Sequence, residues 1–206
     1  PDADARLTPP DRLLSNALAN FADYAASQER SAVVSLSLTD FRCYESLRLE
    51  ADIRPAILTG PNGAGKTNLL EAISFLAPGR GLRRARMPDV TRTGAREVLS
   101  GGLRWAVAAT LETATGPVEI GTGFEATGGG DEGGRRVVRL NGAPARSQSV
   151  LGEVFAAVWL VPEMDRLFMD GASGRRHFLD RLVAAFDPAH ATRLNEYEQA
   201  MRERTR

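Results

Sequence analysis

The sequence is short of cysteine, lysine and long apolar runs, and the shortages of cysteine and of long apolar runs each exclude a class of protein. A single cysteine, Cys43, cannot form an internal disulfide, which is typical of a reducing compartment. The longest uninterrupted apolar run, residues 154–161, is far too short to span a bilayer. The first ten residues also lack the basic and apolar regions of a secretory signal. We therefore expect a cytoplasmic protein that does not enter a membrane.

The charge of the chain is balanced, which limits how it could bind nucleic acid. The 206 residues contain 26 basic and 26 acidic side chains, and 43% of them are hydrophobic, as in ordinary soluble globular proteins. A uniformly basic binding surface is excluded, so any contact with nucleic acid must come from a local patch.

The one lysine of the chain, Lys66, lies in a glycine-rich motif. Residues 60–67 read G-x-x-x-x-G-K-T, after an apolar run at 55–59 that favours a buried strand and before a helical apolar pattern at 68–76. This order of strand, glycine loop and helix predicts a P-loop. Its members are Gly60, Pro61, Asn62, Gly63, Ala64, Gly65, Lys66 and Thr67.

The residue types of this loop predict a phosphate site. Glycines let successive backbone N–H groups turn inward, and the start of the helix adds partial positive charge. We expect Lys66 to reach the outer phosphates of a nucleoside triphosphate, and Thr67 to hold the accompanying Mg²⁺ through its hydroxyl.

The rest of the chain favours an α/β fold with an antiparallel β layer. Two alternating runs, from Val33 and over 46–50, predict an antiparallel pair before the P-loop, and 103–112, 118–125 and 136–140 predict three more strands. Asn141-Gly142 is a hairpin signal. We expect a helix at 147–157 and two more at 175–186 and 189–206, and we interpret the glycine tract 128–134 as a mobile loop.

These patterns divide the chain into three parts. Residues 1–30 form an extension with one predicted helix, residues 31–162 the lobe that contains the P-loop, and residues 163–206 the start of a helical second lobe.

One stretch is strongly basic. Residues 80–96 contain six arginines against one aspartate, among them Arg83, Arg84 and Arg86. Guanidinium groups match phosphate geometry, so these three are candidate contacts to DNA or to the nucleotide. A solvated loop of an arginine-rich protein is the alternative.

An apolar strand predicted at 158–162 ends in a carboxylate, Glu163. An apolar strand that ends in an acid is typical of the Walker B element. Pro162 occupies the place of that motif's first aspartate, which argues against a Walker B element here.

Several residues beyond the P-loop resemble the RecF family of DNA repair ATPases. These are Asp40-Phe41-Arg42-x-Tyr44, the run Gly60-x-Asn62-Gly63-x-Gly65-Lys66-Thr67-Asn68-Leu69-Leu70-Glu71-Ala72-Ile73, Gly79-Arg80, and Arg175-Arg176-x-Phe178-Leu179-Asp180. Their order and spacing match over about residues 33–206. The Asn-Gly of the P-loop is shared with the wider group of SMC and ABC-type ATPases.

The resemblance implies an ABC-type ATPase head, with a mixed sheet and an antiparallel β layer, followed by the start of a helical lobe. It implies ATP and Mg²⁺ as cofactors, and DNA at junctions of single strand and duplex as a partner. It also implies a RecR-like mediator protein, an ATP-dependent homodimer, and a role in gap repair and recombinase loading. By the same resemblance, Glu163 lies near the Q-loop, which contacts Mg²⁺ or water.

Two elements of the family are not in the sequence. There is no Leu-Ser-x-Gly-Gln signature and no apolar run that ends in Asp-Asp or Asp-Glu. We therefore interpret the chain as the N-terminal part of a longer protein. We expect this chain to bind ATP weakly and not to hydrolyse it. In ABC-type folds the strands beside the P-loop strand come from later in the chain, so we expect residues 55–59 to have unpaired edges.

Two other functions remain open from the sequence. One is a P-loop regulatory module that binds nucleotide and never touches DNA. The other is a small-molecule kinase, which is disfavoured because two strands precede the P-loop and no lid or acceptor site is evident.

Overall fold

A computed structural model describes residues 32–95, 102–126, 134–162, 164, 167, 169, 171–187 and 189–204. The predictions for residues 1–30, for most of the glycine tract and for Glu163 lie outside these residues.

A six-stranded antiparallel sheet is the centre of the fold. Its spatial order is β2-β1-β3-β4-β5-β6, and every neighbouring pair runs antiparallel. The predicted antiparallel layer is therefore confirmed. The strands are β1 (Ala32–Phe41), β2 (Tyr44–Glu50), β3 (Leu103–Thr113), β4 (Gly116–Ala126), β5 (Gly134–Leu140) and β6 (Ala143–Pro144).

The Asn141-Gly142 hairpin is confirmed between β5 and β6. Both residues have positive φ, at 48° and 77°, which is the backbone that a two-residue type I′ turn requires. The side-chain oxygen of Asn141 also accepts a hydrogen bond of 2.9 Å from the backbone N–H of Glu119, so the turn is fixed to β4.

Within the described residues, α-helices and a 3₁₀ turn accompany the sheet. They are α1 (Lys66–Ser74), the 3₁₀ turn Pro88–Val90, α2 (Val150–Val154), α3 (Ala172–Phe186) and α4 (Ala189–Arg204). The last two confirm the helices predicted near the end of the chain. Among the described residues, no helix is both long and apolar enough to cross a membrane.

Three predicted elements are wrong. Residues 55–59 form no strand, and they are exposed where a buried strand was expected: Ile57 is 87% exposed. Residues 158–162 likewise form no strand, and Leu160 is 78% exposed. The reason is the same in both, because no other described segment pairs with them, and a strand exists only where a neighbour supplies its hydrogen bonds.

The third correction concerns the helix predicted at 147–157. Only Val150–Val154 is helical, and the helix ends at Phe155, whose backbone is extended. Phe155 has φ −140° and ψ 116°, and the segment 155–162 alternates between half-buried and exposed residues. The apolar run that suggested a continuing helix therefore belongs to an extended segment with a period of two.

The core lies between the sheet and α1. Leu69, Ala72, Phe75 and Leu76 from the helix and the following turn are buried there. The Phe75 ring packs edge-to-face on Phe41 of β1, with 5.9 Å between the ring centroids. It packs in a tilted arrangement on Trp105 of β3, with 5.3 Å between the centroids. Aromatic pairs favour such arrangements over a face-to-face stack. The Trp105 indole N–H donates to the carbonyl of Met87 at 2.9 Å.

A buried carboxylate joins α1 to two other segments. Glu71 is fully buried, and both of its oxygens accept from Arg42, Oε1 from Nη2 at 2.7 Å and Oε2 from Nε at 2.9 Å. Arg83 donates to the same Oε2 at 3.1 Å. One carboxylate therefore holds two segments against α1. They are the β1–β2 turn and the loop that contains Arg83, Arg84 and Arg86, which we call the basic loop. Buried charges are tolerated only when they are paired and hydrogen-bonded in this way.

A buried arginine closes the other end of α1. The Arg136 guanidinium of β5 donates to the carbonyls of Phe75, Ala77 and Gly79, and it lies over the Phe75 ring at 5.7 Å. Carbonyls at the end of a helix lack helical partners and carry partial negative charge, which favours a cation. Burial lowers the pKa of Arg136 to about 10, so the charge is present at neutral pH.

We predict that Glu71→Gln lowers the free energy of unfolding by about 3–5 kcal/mol, because two guanidinium groups then lose their shared charge in a buried site. Glu50→Gln is the matched control, since the Arg48–Glu50 pair is exposed and its loss should cost less than about 1 kcal/mol. Urea denaturation of both variants measures the difference. If both variants lost the same free energy of unfolding, Glu71 with Arg42 and Arg83, which we call the Glu71 cluster, would not hold the fold together.

Candidate phosphate-binding site

The glycine loop has the backbone of a phosphate cradle. Gly60, Gly63 and Gly65 have φ of 144°, 85° and 93°, a region that side chains with a Cβ rarely adopt. Gly65 is the N-cap of α1, so the free N–H groups of the first helical turn face the loop. The sequence thus has glycine at each position where the loop needs positive φ.

Lys66 folds back across the loop. Its Nζ donates to the carbonyl oxygens of Gly60 at 2.7 Å and Pro61 at 2.8 Å. The ammonium group is therefore held at the mouth of the cradle by exposed backbone acceptors. Thr67, the second residue of α1, is exposed beside it. The predicted phosphate and Mg²⁺ ligands thus lie side by side at the start of one helix.

The turn between β1 and β2 forms a side wall of this loop. A Cβ built on Gly65 would lie 2.6 Å from the Tyr44 hydroxyl and 3.0 Å from the Cys43 sulfur. Asn68 donates from its amide nitrogen to that sulfur at 3.1 Å. The pKa of Tyr44 is raised, mainly by burial and to a smaller extent by the adjacent Cys43. Its hydroxyl therefore keeps its proton at neutral pH.

The structure separates the three arginines that the sequence grouped together. Arg83 turns toward α1, where Nη1 bonds Asn68 Oδ1 at 2.9 Å as well as Glu71. Arg84, with φ 54°, lines a cavity at the far end of α1, and Arg86 is exposed. Of these three arginines, only Arg83 is described as bonded to α1, through Asn68 and Glu71.

Sequence reasoning missed the residues that support the cradle. Arg42 and Glu71 were noted only as parts of a family pattern, and nothing in their spacing showed that they pair across 29 positions. Arg136 gave no signal, because an arginine in a strand usually faces solvent. In the described part of the chain, no group of three or more His, Cys, Asp or Glu side chains could hold a metal ion.

A glycine loop that opens a helix, packed against an antiparallel β layer and followed by helices, defines a P-loop ATPase head of the ABC type. Comparisons with known proteins agree with this class. A family model described as "AAA domain, putative AbiEii toxin, Type IV TA system" matches residues 56–127, which include the P-loop.

The curated relatives narrow the class to one family. The chain is 51% identical over 171 residues to the DNA replication and repair protein RecF of Rhizobium etli, and 48% identical over 178 residues to that of Allorhizobium ampelinum. It belongs to the RecF family. The matches cover 83% and 86% of this chain but only 43% and 45% of the relatives, so the chain spans less than half of their length.

Two solved structures share the fold. Both are described as the recombination mediator protein RecF in the RecFOR pathway, one with ATPrS and one with ATP, and their TM-scores are 0.68 and 0.64 at 23% identity. They cover 86% and 83% of this chain, and the chain covers 45% and 44% of theirs.

We predict that Gly65→Ala damages the site more than Gly63→Ala does. Both positions have positive φ, so both variants are strained, but only at Gly65 would the new methyl group strike neighbouring atoms, while nothing lies within 4 Å of a Cβ at Gly63. Thermal unfolding and binding of a fluorescent triphosphate measure the two effects. If Gly63→Ala were the more damaging change, the Tyr44–Cys43 wall would not pack as described.

Proposed function

We propose that this chain is the ATP-binding portion of a RecF-type protein, which binds DNA at gaps and supports recombinase loading in recombinational repair and replication. The observation that carries the proposal is the cradle of positive-φ glycines with Lys66 at its mouth. The names of the relatives supply the setting, since they are DNA replication and repair proteins.

The residues at the loop fit a triphosphate with Mg²⁺. The cradle offers backbone N–H groups at the start of α1, an ammonium group, and the exposed Thr67 hydroxyl, which are the donor and ligand types that phosphate and Mg²⁺ need. Residues 60–65 would surround the phosphates, Lys66 would contact the outer ones, and Thr67 would hold the metal. When bound, Mg²⁺ neutralises part of the phosphate charge. Glu163 stays a proposal as a contact to the metal or to water.

Binding without turnover is part of the proposal. Hydrolysis by an ABC-type head requires a residue that orients water, and an opposing protomer's signature motif that completes the site. Neither the signature nor an acid-ended apolar strand of the required form is in this sequence. A RecR-like mediator and an ATP-dependent homodimer belong to the same proposal as partners of the whole protein.

We predict that Lys66→Ala weakens ATP binding about ten- to a hundredfold, because the outer phosphates then lack a charge-assisted hydrogen bond worth about 1.5–3 kcal/mol. Thr67→Ala should lose only the Mg²⁺-dependent part of the affinity, so it should match the unmodified chain when EDTA is present. Isothermal titration with and without Mg²⁺ separates the two contributions. ATP hydrolysis by the purified chain that disappears in Lys66→Ala would refute binding without turnover.

DNA binding is assigned to the basic loop, and we predict that Arg84→Ala with Arg86→Ala weakens it. For each of these two arginines that contacts a DNA phosphate, its removal should reduce the slope of log affinity against log salt by about 0.9. The control is Arg48→Ala with Arg139→Ala, which removes the same charge from the polar face of the sheet. Arg83 is left in place because its substitution would break the Glu71 cluster.

The salt slope also tests the other candidate function. If the loop variant and the control have the same slope and affinity as the unmodified chain, the basic loop does not contact DNA. The chain would then be better described as a P-loop regulatory module that binds nucleotide alone.

A further inference from the structure

A cavity of about 230 Å³ lies at the far end of α1 from the cradle. The turn at residues 77–81 forms one wall, residues 155–157 and Trp159 form another, and α3 and α4 close it. Most of the lining is apolar, with a small number of charged groups, which is the composition of small-ligand sites in proteins. Of the residues that the proposed function uses, only Arg84 lines this cavity.

The charged groups of the cavity are mainly positive. Arg80, Arg84 and Arg181 line it, against one carboxylate, Asp180. Asp180 is already engaged, because its Oδ1 lies 3.1 Å from Nε2 of His190, another lining residue. The cavity therefore has three guanidinium groups and no carboxylate that pairs with them among the described interactions.

Two hydrogen-bond donors in the wall have no partner in the described part of the chain. They are Nη1 of Arg181 and Nε1 of Trp159, and both atoms are buried. The Arg181 guanidinium lies over the Trp159 ring at 4.1 Å, so the two donors belong to one stacked pair. A buried donor without an acceptor has lost its hydrogen bonds to water and gained none in return, so such a pair calls for an acceptor.

Arg181 of this pair and Arg84 repel each other. The pKa of Arg181 is lowered, mainly by burial and to a smaller extent by the positive charge of Arg84. An anion between the two guanidinium groups would remove the repulsion and would accept from the donors at the same time.

We propose that this cavity binds a phosphate group, held by the stacked Arg181–Trp159 pair and by Arg84. A doubly charged tetrahedral oxyanion has enough oxygens to accept from Nη1 of Arg181 and the indole N–H of Trp159, and two guanidinium groups balance its charge. The site is distinct from the cradle at Lys66, and it does not depend on the proposed function. Its phosphate comes either from a free anion or from a nucleic-acid backbone.

The two tryptophans of the chain make the site directly observable. Trp105 donates its indole N–H to Met87, whereas that of Trp159 has no described partner, so the two indole N–H signals in a ¹H–¹⁵N spectrum report different environments. We predict that inorganic phosphate moves the Trp159 signal and leaves the Trp105 signal in place. Sodium chloride at equal ionic strength is the control for salt, and Trp159→Phe assigns the signals.

Substitutions decide whether the shift comes from this site. Lys66→Ala should keep it, because the cradle is elsewhere, while Arg181→Met should weaken phosphate binding by about tenfold or more. Arg84→Met is a second removal, in case Arg181→Met disturbs the packing on Trp159. Asp180→Asn should tighten binding, because it removes the nearby negative charge and keeps an oxygen for His190.

A short DNA duplex is the second probe and separates the two sources. A Trp159 shift with the duplex but not with inorganic phosphate supports the site and assigns it to a nucleic-acid backbone, and the reverse assigns it to a free anion. If neither probe moves the signal, or if chloride moves it equally, the proposal is wrong. The two donors are then satisfied by water.

Discussion

The fold of this chain depends on one buried carboxylate. Glu71 is the only fully buried acid among the described residues, and it lies on the helix that the phosphate cradle opens. Its two arginines come from the β1–β2 turn and from the basic loop, so three segments far apart in sequence meet at one side chain. Because an unpaired charge is far more costly in the interior than in water, these segments cannot separate independently. The position of the cradle is therefore set by an ion pair as much as by the apolar core.

The opposite end of α1 is fixed by a different interaction. Arg136 reaches from β5 to the last carbonyls of the helix and the following turn, where it neutralises the negative end of the helix. The helix is thus held by a carboxylate near its middle and by a guanidinium at its end, and both contacts lead to the sheet. A helix of nine residues is marginal alone, so these contacts and the aromatic packing of Phe75 decide that it forms.

The local parts of the structure could be predicted from the sequence, and the long-range parts could not. The alternation in β1 and the Asn141-Gly142 turn follow from neighbouring residues, and so does the glycine loop, which is why these predictions are confirmed. The strand predicted at 55–59 failed because pairing depends on a partner strand, which periodicity cannot supply. The Arg42–Glu71 pair and the cavity beside Trp159 were missed because they join residues distant in the chain. The glycine loop could be predicted from the sequence, whereas the residues that hold it in place, such as Arg42 and Glu71, could be identified only from the folded structure.

The single lysine has a consequence for chemical labelling. Its ε-amine rests on the carbonyls of Gly60 and Pro61, and every other basic side chain in the sequence is an arginine or a histidine. Apart from the chain terminus, an amine-directed reagent therefore meets one side-chain amine, which lies at the mouth of the cradle. The rate of lysine acylation in this protein is thus a direct measure of access to its phosphate loop, with no other lysine to contribute to the signal.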